Sequence, residues 1–527
     1  MTGGCKLLLV VAALGLVAAA STPAVAADSH ALVEGSGSSW SSNAVNQWIA
    51  DVSSSGLQVV FSATGSAQGR QDFANKTTDF AVSDIGYQGH DPITGAVDNS
   101  QGRAFAYLPV VAGGTAFAYQ VKVGGQLVRN LRLSGLTLAK IFTNHITNWN
   151  DPEITADNNG RKLPSLPIIP VVHSEGSGST AQFTTFLNTD YQSLWKAYNG
   201  GKTGETEYYP RQGQQIAQNG SDGVMNFVSQ SAANGAIGYD EYSYALGKNW
   251  PVAKVENTAG YFTLPTQYNV AVALTKAIIN EDKTSPNYLL QDLHNVYTFG
   301  DPRTYPLSSY SYMLLPTASN DPRMTTPKRQ TLADFMYYSL CQGQAEMGPI
   351  GYSPLPINLV SASFQQTAKL KAADPGVDIT ARSVSTCHNP TFVAGQPSRN
   401  YLAEVAPQPP ACDKAGAGPC TGTANDAITK NPSSTGKVPT TPGGTATPGA
   451  SSGPSTGTGD GSTGQGTGTG TTDAASADLI GVPTELSADR SDSTNGLLSV
   501  LAVIEILLVL VIPPLLARTV LRRKDAK

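Results

Sequence analysis

The sequence predicts an α/β fold in which helices cover sheets. Short apolar segments typical of strands alternate with amphipathic helical stretches along much of the chain. Five strand segments are predicted, at 57–62, 80–83, 110–123, 166–172 and 235–239. Turns rich in glycine and serine open onto several of the helices, and ligand-binding turns at the carboxyl ends of strands are typical of this class.

Glycine and proline residues are expected to disturb two of these predicted strands. Gly113-Gly114 is expected to interrupt the long run at 110–123. Pro167 and Pro170 are expected to weaken the hydrogen-bond ladder of the run at 166–172, because proline has no N–H to donate.

The helices are predicted from apolar residues spaced three and four apart. The sets are Val45, Trp48, Ile49 and Val52; Phe183, Phe186 and Leu187; and Val224, Phe227 and Val228. Ser221-Asp222 is expected to cap the third of these helices.

Three turns that precede helices form the most informative pattern in the chain. They read Gly35-Ser36-Gly37-Ser38-Ser39-Trp40, Thr64-Gly65-Ser66-Ala67 and Gly176-Ser177-Gly178-Ser179-Thr180. A helix start leaves about four backbone N–H groups without partners and carries roughly half a positive charge. Glycines let a ligand approach this backbone and serines add hydroxyl donors, so the three turns predict a shared site for one small anion.

The two ends of the chain predict export and membrane anchoring. Residues 1–26 combine an apolar run with a single charge at Lys6 and a small-residue cleavage pattern, which predicts a signal peptide. Residues 495–518 are long and apolar enough for a transmembrane helix, and the basic tail at 519–527 places that end in the cytoplasm. The body of the protein is therefore expected outside the cell, on a single-pass anchor.

The segment before this anchor predicts a tether. Residues 406–494 are dominated by Gly, Thr, Ser, Pro and Ala, a composition that cannot bury enough apolar surface to offset the cost of ordering. Glu505 within the predicted span is expected either to stay protonated or to face a helix partner.

Charge and cysteine content limit the partners of the protein. The formal net charge of −5 argues against nucleic acid or anionic lipid as a general partner, so an anion site must be built locally.

Four cysteines lie outside the predicted signal peptide, and an even count in an exported chain favours disulfides. The simplest pairing is Cys341–Cys387 with Cys412–Cys420. A metal site has little support because the chain has no CxxC pair, and no cofactor is predicted.

An enzyme is the main alternative class, and none of its motifs is complete. No GxSxG pattern surrounds Ser36 or Ser177. Ser193 and Lys196 fit SxxK and Lys202-Thr203-Gly204 reads KTG, but the SDN companion of that motif does not occur. Gly201-Lys202-Thr203 lacks the earlier glycine of a P-loop. The sequence therefore predicts a binding protein and no catalytic residues.

Several segments together resemble the substrate-binding proteins of phosphate ABC importers, the PstS family. Besides the three turns, they are Thr78-Asp79-Phe80-Ala81-Val82-Ser83-Asp84, Ile146-Thr147-Asn148-Trp149-Asn150-Asp151, Gly235-Ala236-Ile237-Gly238-Tyr239, Tyr305-Pro306-Leu307 and Gly351-Tyr352-Ser353-Pro354-Leu355-Pro356. They follow the family's order from about residue 31 to residue 360. The resemblance implies a two-lobed periplasmic-binding-protein fold of type II over 27–405, with one lobe of 27–115 plus 268–405 and a second lobe of 116–267.

The resemblance also implies a function and partners. It implies the phosphate-binding component of an ABC importer, which hands its ligand to permease subunits driven by a cytoplasmic ATPase. A membrane-tethered form of such a protein suits a cell without an outer membrane to retain a soluble binder. Two alternatives remain open: a binder of another oxyanion, such as sulfate or molybdate, or a surface sensor or adhesin that does not transport.

The resemblance further implies which residues bind phosphate. They are Ser39, the backbone N–H of Trp40, Ser66 and Asp84 from one lobe, and Ser177, Gly178 and Ser179 from the other. Phosphate near neutral pH keeps a proton that a carboxylate can accept, so Asp84 is expected to favour phosphate over sulfate, which has none.

One position departs from the family pattern. His173 stands where the family usually has an arginine that pairs with the anion. Either His173 becomes protonated beside the anion, or helix ends and hydroxyls suffice without a cation. Arg70, one turn beyond Ser66, is a second candidate source of positive charge.

Overall fold

The computed structural model describes residues 29–91, 95–380 and 382–420. The predicted signal peptide, transmembrane helix and cytoplasmic tail, and all of the predicted tether beyond Cys420, lie outside the described residues. Within those three ranges, none of the helices combines the length and the apolar character needed to cross a membrane.

Strands are numbered here in chain order. They are β1 (Val33–Gly37), β2 (Val59–Ser62), β3 (Phe80–Ser83), β4 (Gly89–His90), β5 (Val97–Asp98), β6 (Phe105–Tyr119), β7 (Lys122–Val123), β8 (Gln126–Leu127), β9 (Arg132–Leu133), β10 (Ile169–His173), β11 (Ile216–Gln218), β12 (Ala236–Glu241), β13 (Lys254–Glu256), β14 (Phe262–Thr263), β15 (Ile278–Ile279), β16 (Gln291–Asp292) and β17 (Ser308–Pro316).

The α-helices are numbered in the same way. They are α1 (Ser42–Ser53), α2 (Ser66–Ala74), α3 (Gly135–Phe142), α4 (Pro152–Asp157), α5 (Gly178–Asp190), α6 (Gln192–Tyr198), α7 (Gly220–Ser229), α8 (Tyr242–Gly247), α9 (Gln267–Leu274), α10 (His294–Tyr297), α11 (Thr326–Leu340), α12 (Met347–Ile350), α13 (Ile357–Thr367), α14 (Lys369–Ala373) and α15 (Tyr401–Val405). Short 3-10 turns occupy Gln342–Glu346, Val384–Thr386 and Ala411–Asp413.

One eight-stranded mixed sheet organises the fold, in the order β11-β10-β12-β6-β17-β3-β1-β2. Following the division expected from the sequence, we call the part built on β1, β2, β3 and β17 lobe 1 and the part built on β10, β11 and β12 lobe 2. In both lobes the first strand lies between the second and the third, and its pairings are parallel. The mixed α/β class predicted from the sequence is confirmed.

Strand β6 joins the two lobes. Residues 105–114 pair antiparallel with β17, and residues 115–119 pair antiparallel with β12. The partner of β6 therefore changes between Gly114 and Thr115, within a strand of 15 residues.

The predicted interruption at Gly113-Gly114 is wrong, because β6 runs through both glycines. A Cβ at Gly113 would lie 2.6 Å from Cη2 of Trp40, and one at Gly114 would overlap the side chain of Pro265. The two glycines therefore admit bulky neighbours where the strand passes from one lobe to the other, and they do not break its hydrogen bonding.

The other predicted strands are present with shifted ends, except the strand at Phe80–Ser83, which has the predicted bounds. The segment predicted at 166–172 becomes β10, Ile169–His173, so Pro167 lies before it and Pro170 inside it. Pairing with β12 starts at Ile169, whereas pairing with β11 starts only at Val171. This delay is consistent with the missing N–H of Pro170.

The three predicted helices are also present, and one predicted cap is wrong. Helix α7 has Asn219 at its N-cap position and begins at Gly220, so Ser221 lies inside the first turn and does not cap it. The positive φ of 65° at Gly220 lets the chain turn into the helix one residue earlier than predicted.

Both predicted cysteine pairs, Cys341–Cys387 and Cys412–Cys420, are disulfide-bonded. The second lies beyond residue 405, where the sequence placed the end of the head. Residues 406–420 nevertheless pack against lobe 2, where Lys254 Nζ donates to Asp413 at 2.7 Å and Arg132 Nη1 donates to the carbonyl of Cys412 at 3.1 Å.

Candidate anion-binding site

Two of the three predicted turns meet directly across the lobes. Gly65 precedes α2 in lobe 1, and Ser177 precedes α5 in lobe 2. The backbone N–H of Ala67 donates to the carbonyl of Gly176 at 3.1 Å. A Cβ at Gly178 would overlap Asp84 Oδ2 and lie 2.5 Å from Ser66 Oγ. The starts of α2 and α5 therefore face each other with Asp84 between them.

The start of α5 contributes first-turn backbone N–H groups and two serines. The N–H groups of Gly178 and Ser179 belong to the first turn of α5, so they have no partner within the helix. Ser177 Oγ is the N-cap and accepts from the N–H of Thr180 at 3.4 Å. Ser179 Oγ is buried and has no hydrogen-bond partner among the described residues.

The first turn lies against a part of lobe 2 that the sequence analysis did not include in the site. Ser39 Oγ accepts from both the backbone N–H and the hydroxyl of Ser221, at 3.1 and 3.0 Å. The side chain of Trp40 is buried, and its carbonyl accepts from the Tyr352 hydroxyl at 2.6 Å. The start of α7 is therefore a further helix end at the cleft, and its Gly220-Ser221-Asp222-Gly223 pattern was the sequence signal that could have revealed it.

Asp84 is a buried carboxylate surrounded by hydroxyl donors. It accepts hydrogen bonds from Ser38 at 2.8 and 2.9 Å, from Ser66 at 3.2 Å and from Ser311 at 2.7 Å. Burial raises the pKa of Asp84 above its ordinary value, although these three hydroxyls oppose the shift. Gln182 of lobe 2 donates to its backbone carbonyl at 2.8 Å.

Sequence reasoning missed the roles of two of these donors. Ser38 stood inside a quoted turn but received no role, and Ser311 lies 227 residues along the chain from Asp84. No spacing pattern connects residues so far apart, so Ser311 could be found only once β17 was known to pair with β3.

The guanidinium of Arg70 is committed to partners and is not free to hold an anion. It is fully buried and donates to Asp98 at 2.7 Å, to Ser83 at 2.8 Å and to Glu207 of lobe 2. Its positive charge still lowers the pKa of Asp84 through space. Arg70 therefore contributes to the potential of the site while its hydrogen bonds are used elsewhere.

His173 lies behind the third turn and is paired with a carboxylate. Its Nδ1 is 2.7 Å from Glu175 Oε1, and Glu175 Oε2 accepts from the N–H of Gly220 at 3.0 Å. Burial lowers the pKa of His173, but Glu175 outweighs it and the net shift is upward. Burial raises the pKa of Glu175, but the hydrogen bond and charge of His173 and the N–H of Gly220 together outweigh it, and the net shift is downward. A charged His173 is thus matched by a charged Glu175.

Comparison with known proteins identifies the family. The model of the PBP superfamily domain matches residues 18–342. The chain is 31% identical over 349 residues to phosphate-binding protein PstS 2 of Mycobacterium tuberculosis, covering 64% of this chain and 85% of that protein. This chain belongs to the PstS family.

Further members of the PstS family and one solved structure extend the comparison. Phosphate-binding protein PstS of Haemophilus influenzae is 30% identical over 315 residues, covering 59% of this chain and 84% of that protein. The solved phosphate-binding protein from Stenotrophomonas maltophilia is 16% identical with a TM-score of 0.45, covering 66% of this chain and 99% of that one. In this PstS-family chain, the residues from Ser38 to Ser311 that converge on the cleft all lie inside the matched range 18–342.

Proposed function

We propose that the head binds inorganic phosphate between its two lobes, as the extracellular substrate-binding component of a phosphate ABC importer. Membership of the PstS family supports this function, since the relatives in the comparison are phosphate-binding proteins. The observation that carries the proposal is the buried Asp84 carboxylate, which lies between the starts of α2 and α5. An acceptor set among donors suits an oxyanion that still carries a proton.

The proposed ligand contacts come from both lobes. Ser39, Ser66, Ser177 and Ser179 offer hydroxyls, while Trp40, Gly178 and Ser179 offer backbone N–H groups. His173 is proposed to support the anion through its positive charge, with Glu175 holding the ring in place. Preorganised N–H groups in a buried site can hold an anion without a basic patch, which agrees with the net charge of −5.

Binding between the lobes is proposed to proceed by hinge closure. The hydrogen bonds from Ala67 to Gly176 and from Ser221 to Ser39 join the lobes at the site. Strand β6 connects the lobes and would bend when the cleft opens. The head itself performs no chemistry in this proposal, and permease subunits with a cytoplasmic ATPase move the ligand.

The proposed location is the outer face of the cell membrane. The sequence patterns at 1–26 and 495–518 support export and a single-pass anchor, with a basic tail at 519–527. In this arrangement the head captures phosphate within reach of its permease.

Titration calorimetry of the head with phosphate, sulfate and molybdate tests the proposed function. Wild type is expected to bind phosphate and to reject sulfate by roughly 10⁴-fold or more, because sulfate has no proton for Asp84 to accept. Asp84→Asn is expected to weaken phosphate binding and to make sulfate binding measurable, since an amide can donate to sulfate. Asp72→Asn, which changes a carboxylate on α2 away from Asp84, is the matched control. Failure of wild type to bind phosphate, or tighter binding of molybdate, would overturn the proposal.

A further inference from the structure

The two oxygens of the Asp84 carboxylate have different surroundings. Oδ1 accepts from Ser311 at 2.7 Å and from Ser38 at 2.9 Å, both in lobe 1. Oδ2 accepts from Ser38 at 2.8 Å and from Ser66 at 3.2 Å. Oδ2 is also the atom that a Cβ at Gly178 would overlap, so it faces the start of α5 in lobe 2.

Ser38 is fixed in the orientation that serves the carboxylate. Its Oγ accepts from the backbone N–H of Ser41 at 3.2 Å, and a hydroxyl has only one hydrogen to donate. That hydrogen therefore points to Asp84. Ser311 lies in β17, which pairs with both β3 and β6, and is fully buried, so it too is held by a rigid element.

Ser66 differs from the other two donors in its position, although its Oγ, like that of Ser38, accepts from a backbone N–H, that of Asp84 at 3.3 Å. It is the first residue of α2 and lies next to Gly178 at the junction of the lobes. An ionised carboxylate has about four acceptor positions. If the Ser66 hydroxyl turns to an incoming anion, one position on Oδ2 becomes free for the proton of that anion, while Ser38 and Ser311 still bind Asp84.

We propose that Ser38 and Ser311 are specificity-determining residues that keep Asp84 ionised, so that the position on Oδ2 released by Ser66 can accept the hydroxyl of the ligand. This inference rests on the proposed function and assigns roles to two residues outside the predicted ligand set. Donors to an ionised carboxylate favour its charged form. Loss of either hydroxyl would let Asp84 take a proton at higher pH, and a neutral Asp84 would donate to the anion and admit sulfate.

The other charged and titratable groups near Asp84 define the conditions of a test. Arg70 of α2 and Tyr312 of β17 interact with Asp84 through their charges. Burial keeps the pKa of Tyr312 well above its ordinary value, and the pKa of Arg70 is raised, so neither changes charge between pH 5 and 8.5. Glu207 is paired with Arg70 and has a raised pKa, but it is present in every variant, so its effect cancels in the comparison.

The test compares Ser38→Ala and Ser311→Ala with Ser36→Ala. Ser36 is buried in β1 and donates to Asp72 at 2.7 Å, so its removal deletes a buried hydroxyl without touching Asp84. Phosphate and sulfate affinities are measured by calorimetry from pH 5 to 8.5. Both test variants are expected to lose on the order of tenfold in phosphate affinity and to begin binding sulfate at higher pH than wild type. The control is expected to match wild type.

Titration of the Asp84 carboxyl carbon by NMR in the absence of ligand separates this inference from the proposed function. The pKa of Asp84 is expected to be higher in Ser38→Ala and Ser311→Ala than in Ser36→Ala. An unchanged Asp84 titration overturns the inference even if wild type binds phosphate. A shifted titration in a protein that does not bind phosphate overturns the proposed function alone. Ser38→Thr, which restores the hydroxyl, is expected to recover both readouts, and this measurement remains decisive if one alanine variant fails to fold.

Discussion

Asp240, at the end of β12, is a buried carboxyl group behind the site. Its Oδ1 accepts from the backbone N–H of Glu241 at 2.7 Å, while its Oδ2 is buried without a hydrogen-bond partner among the described residues. Burial raises the pKa of Asp240 to about 7, although the charge of His173 opposes the shift. Asp240 therefore titrates near neutral pH, far from the range of an exposed aspartate.

This shift gives the stability of the head a predictable pH dependence. An unfolded chain ionises Asp240 near pH 4, whereas the folded chain keeps its proton to about pH 7, so folding is favoured at the lower pH. The melting temperature of wild type is expected to fall between pH 5 and pH 8. Asp240→Asn keeps the acceptor atom and is expected to show a smaller fall.

Differential scanning calorimetry at four pH values from 5 to 8 checks this prediction. The raised pKa of His173 also favours the folded state at low pH, so part of the fall remains in the variant. Asp378→Asn is the control, because Asp378 is exposed and its pKa is lowered. An equal fall in Asp240→Asn and wild type would contradict the raised pKa of the buried Asp240.

The sequence identified the parts of the site that lie in helix-start turns and left out those that depend on long-range pairing. Ser66, Asp84 and Gly178 were predicted and lie together. Ser311 could not be found, because it is one of three serines in β17 and no local pattern marks it as a site residue. The pairing of His173 with Glu175 could not be predicted either. The sequence does not determine how the imidazole is oriented towards a glutamate two residues away until the positions of β10 and α7 are known.

At the scale of elements, the approach of α5 to lobe 1 depends on a residue without a side chain. Gly178 is the first residue of α5, and a methyl group there would overlap Asp84 in the other lobe. The obstruction lies between lobes and not within either one. Alanine at this position should therefore oppose closure without disturbing the fold of α5.

Gly178→Ala is expected to lower phosphate affinity by on the order of 100-fold or more, because closure would force the lobes apart at the point of contact. Its melting temperature without ligand is expected to change little. Calorimetry with phosphate checks the affinity. The control is Gly223→Ala on α7, where an added Cβ would meet its nearest atoms at 3.5 Å, an ordinary contact. Wild-type affinity in Gly178→Ala would show that the ligand does not require this closed geometry.

Element types were predicted better than element ends. Apolar spacing identified α1 and α5, whose predicted faces are largely buried. The continuity of β6 was missed because glycine pairs usually break strands, and only the presence of Trp40 and Pro265 beside them explains the exception. The cap of α7 was misplaced because Ser221 fits a cap pattern, although its hydroxyl donates to Ser39 across the cleft.

At the scale of the whole molecule, the segment 406–420 belongs with the head. Lys254 and Asp413 are buried partners, and the Cys412–Cys420 disulfide closes the segment beside them. Composition predicted a disordered tether from residue 406, because alanine and proline are frequent from that point. The contacts made by Asp413 and Cys412 order the segment despite that composition.

A head ending at Val405 is expected to be less stable than one ending at Cys420, by about 3 kcal/mol, since Lys254 would lose its buried partner. Denaturant unfolding of the two chains measures the difference. Adding Lys254→Met to the shorter chain should recover part of the loss, because it removes the uncompensated charge. Equal midpoints for the two lengths would show that 406–420 contributes nothing to the fold.

The way β6 passes from one set of partners to another has a consequence for how the protein signals occupancy. Lobes joined by a flexible linker could slide, twist and separate independently. The arrangement of their outer faces, which a permease would contact, would then not depend on whether the cleft is occupied. Strand β6 is continuous across both sets of partners, so relative movement of the lobes is expected mainly as a rotation about the point where its partner changes. Under the proposed function, the angle between the lobes is expected to differ between the empty protein and the protein with an anion at Asp84.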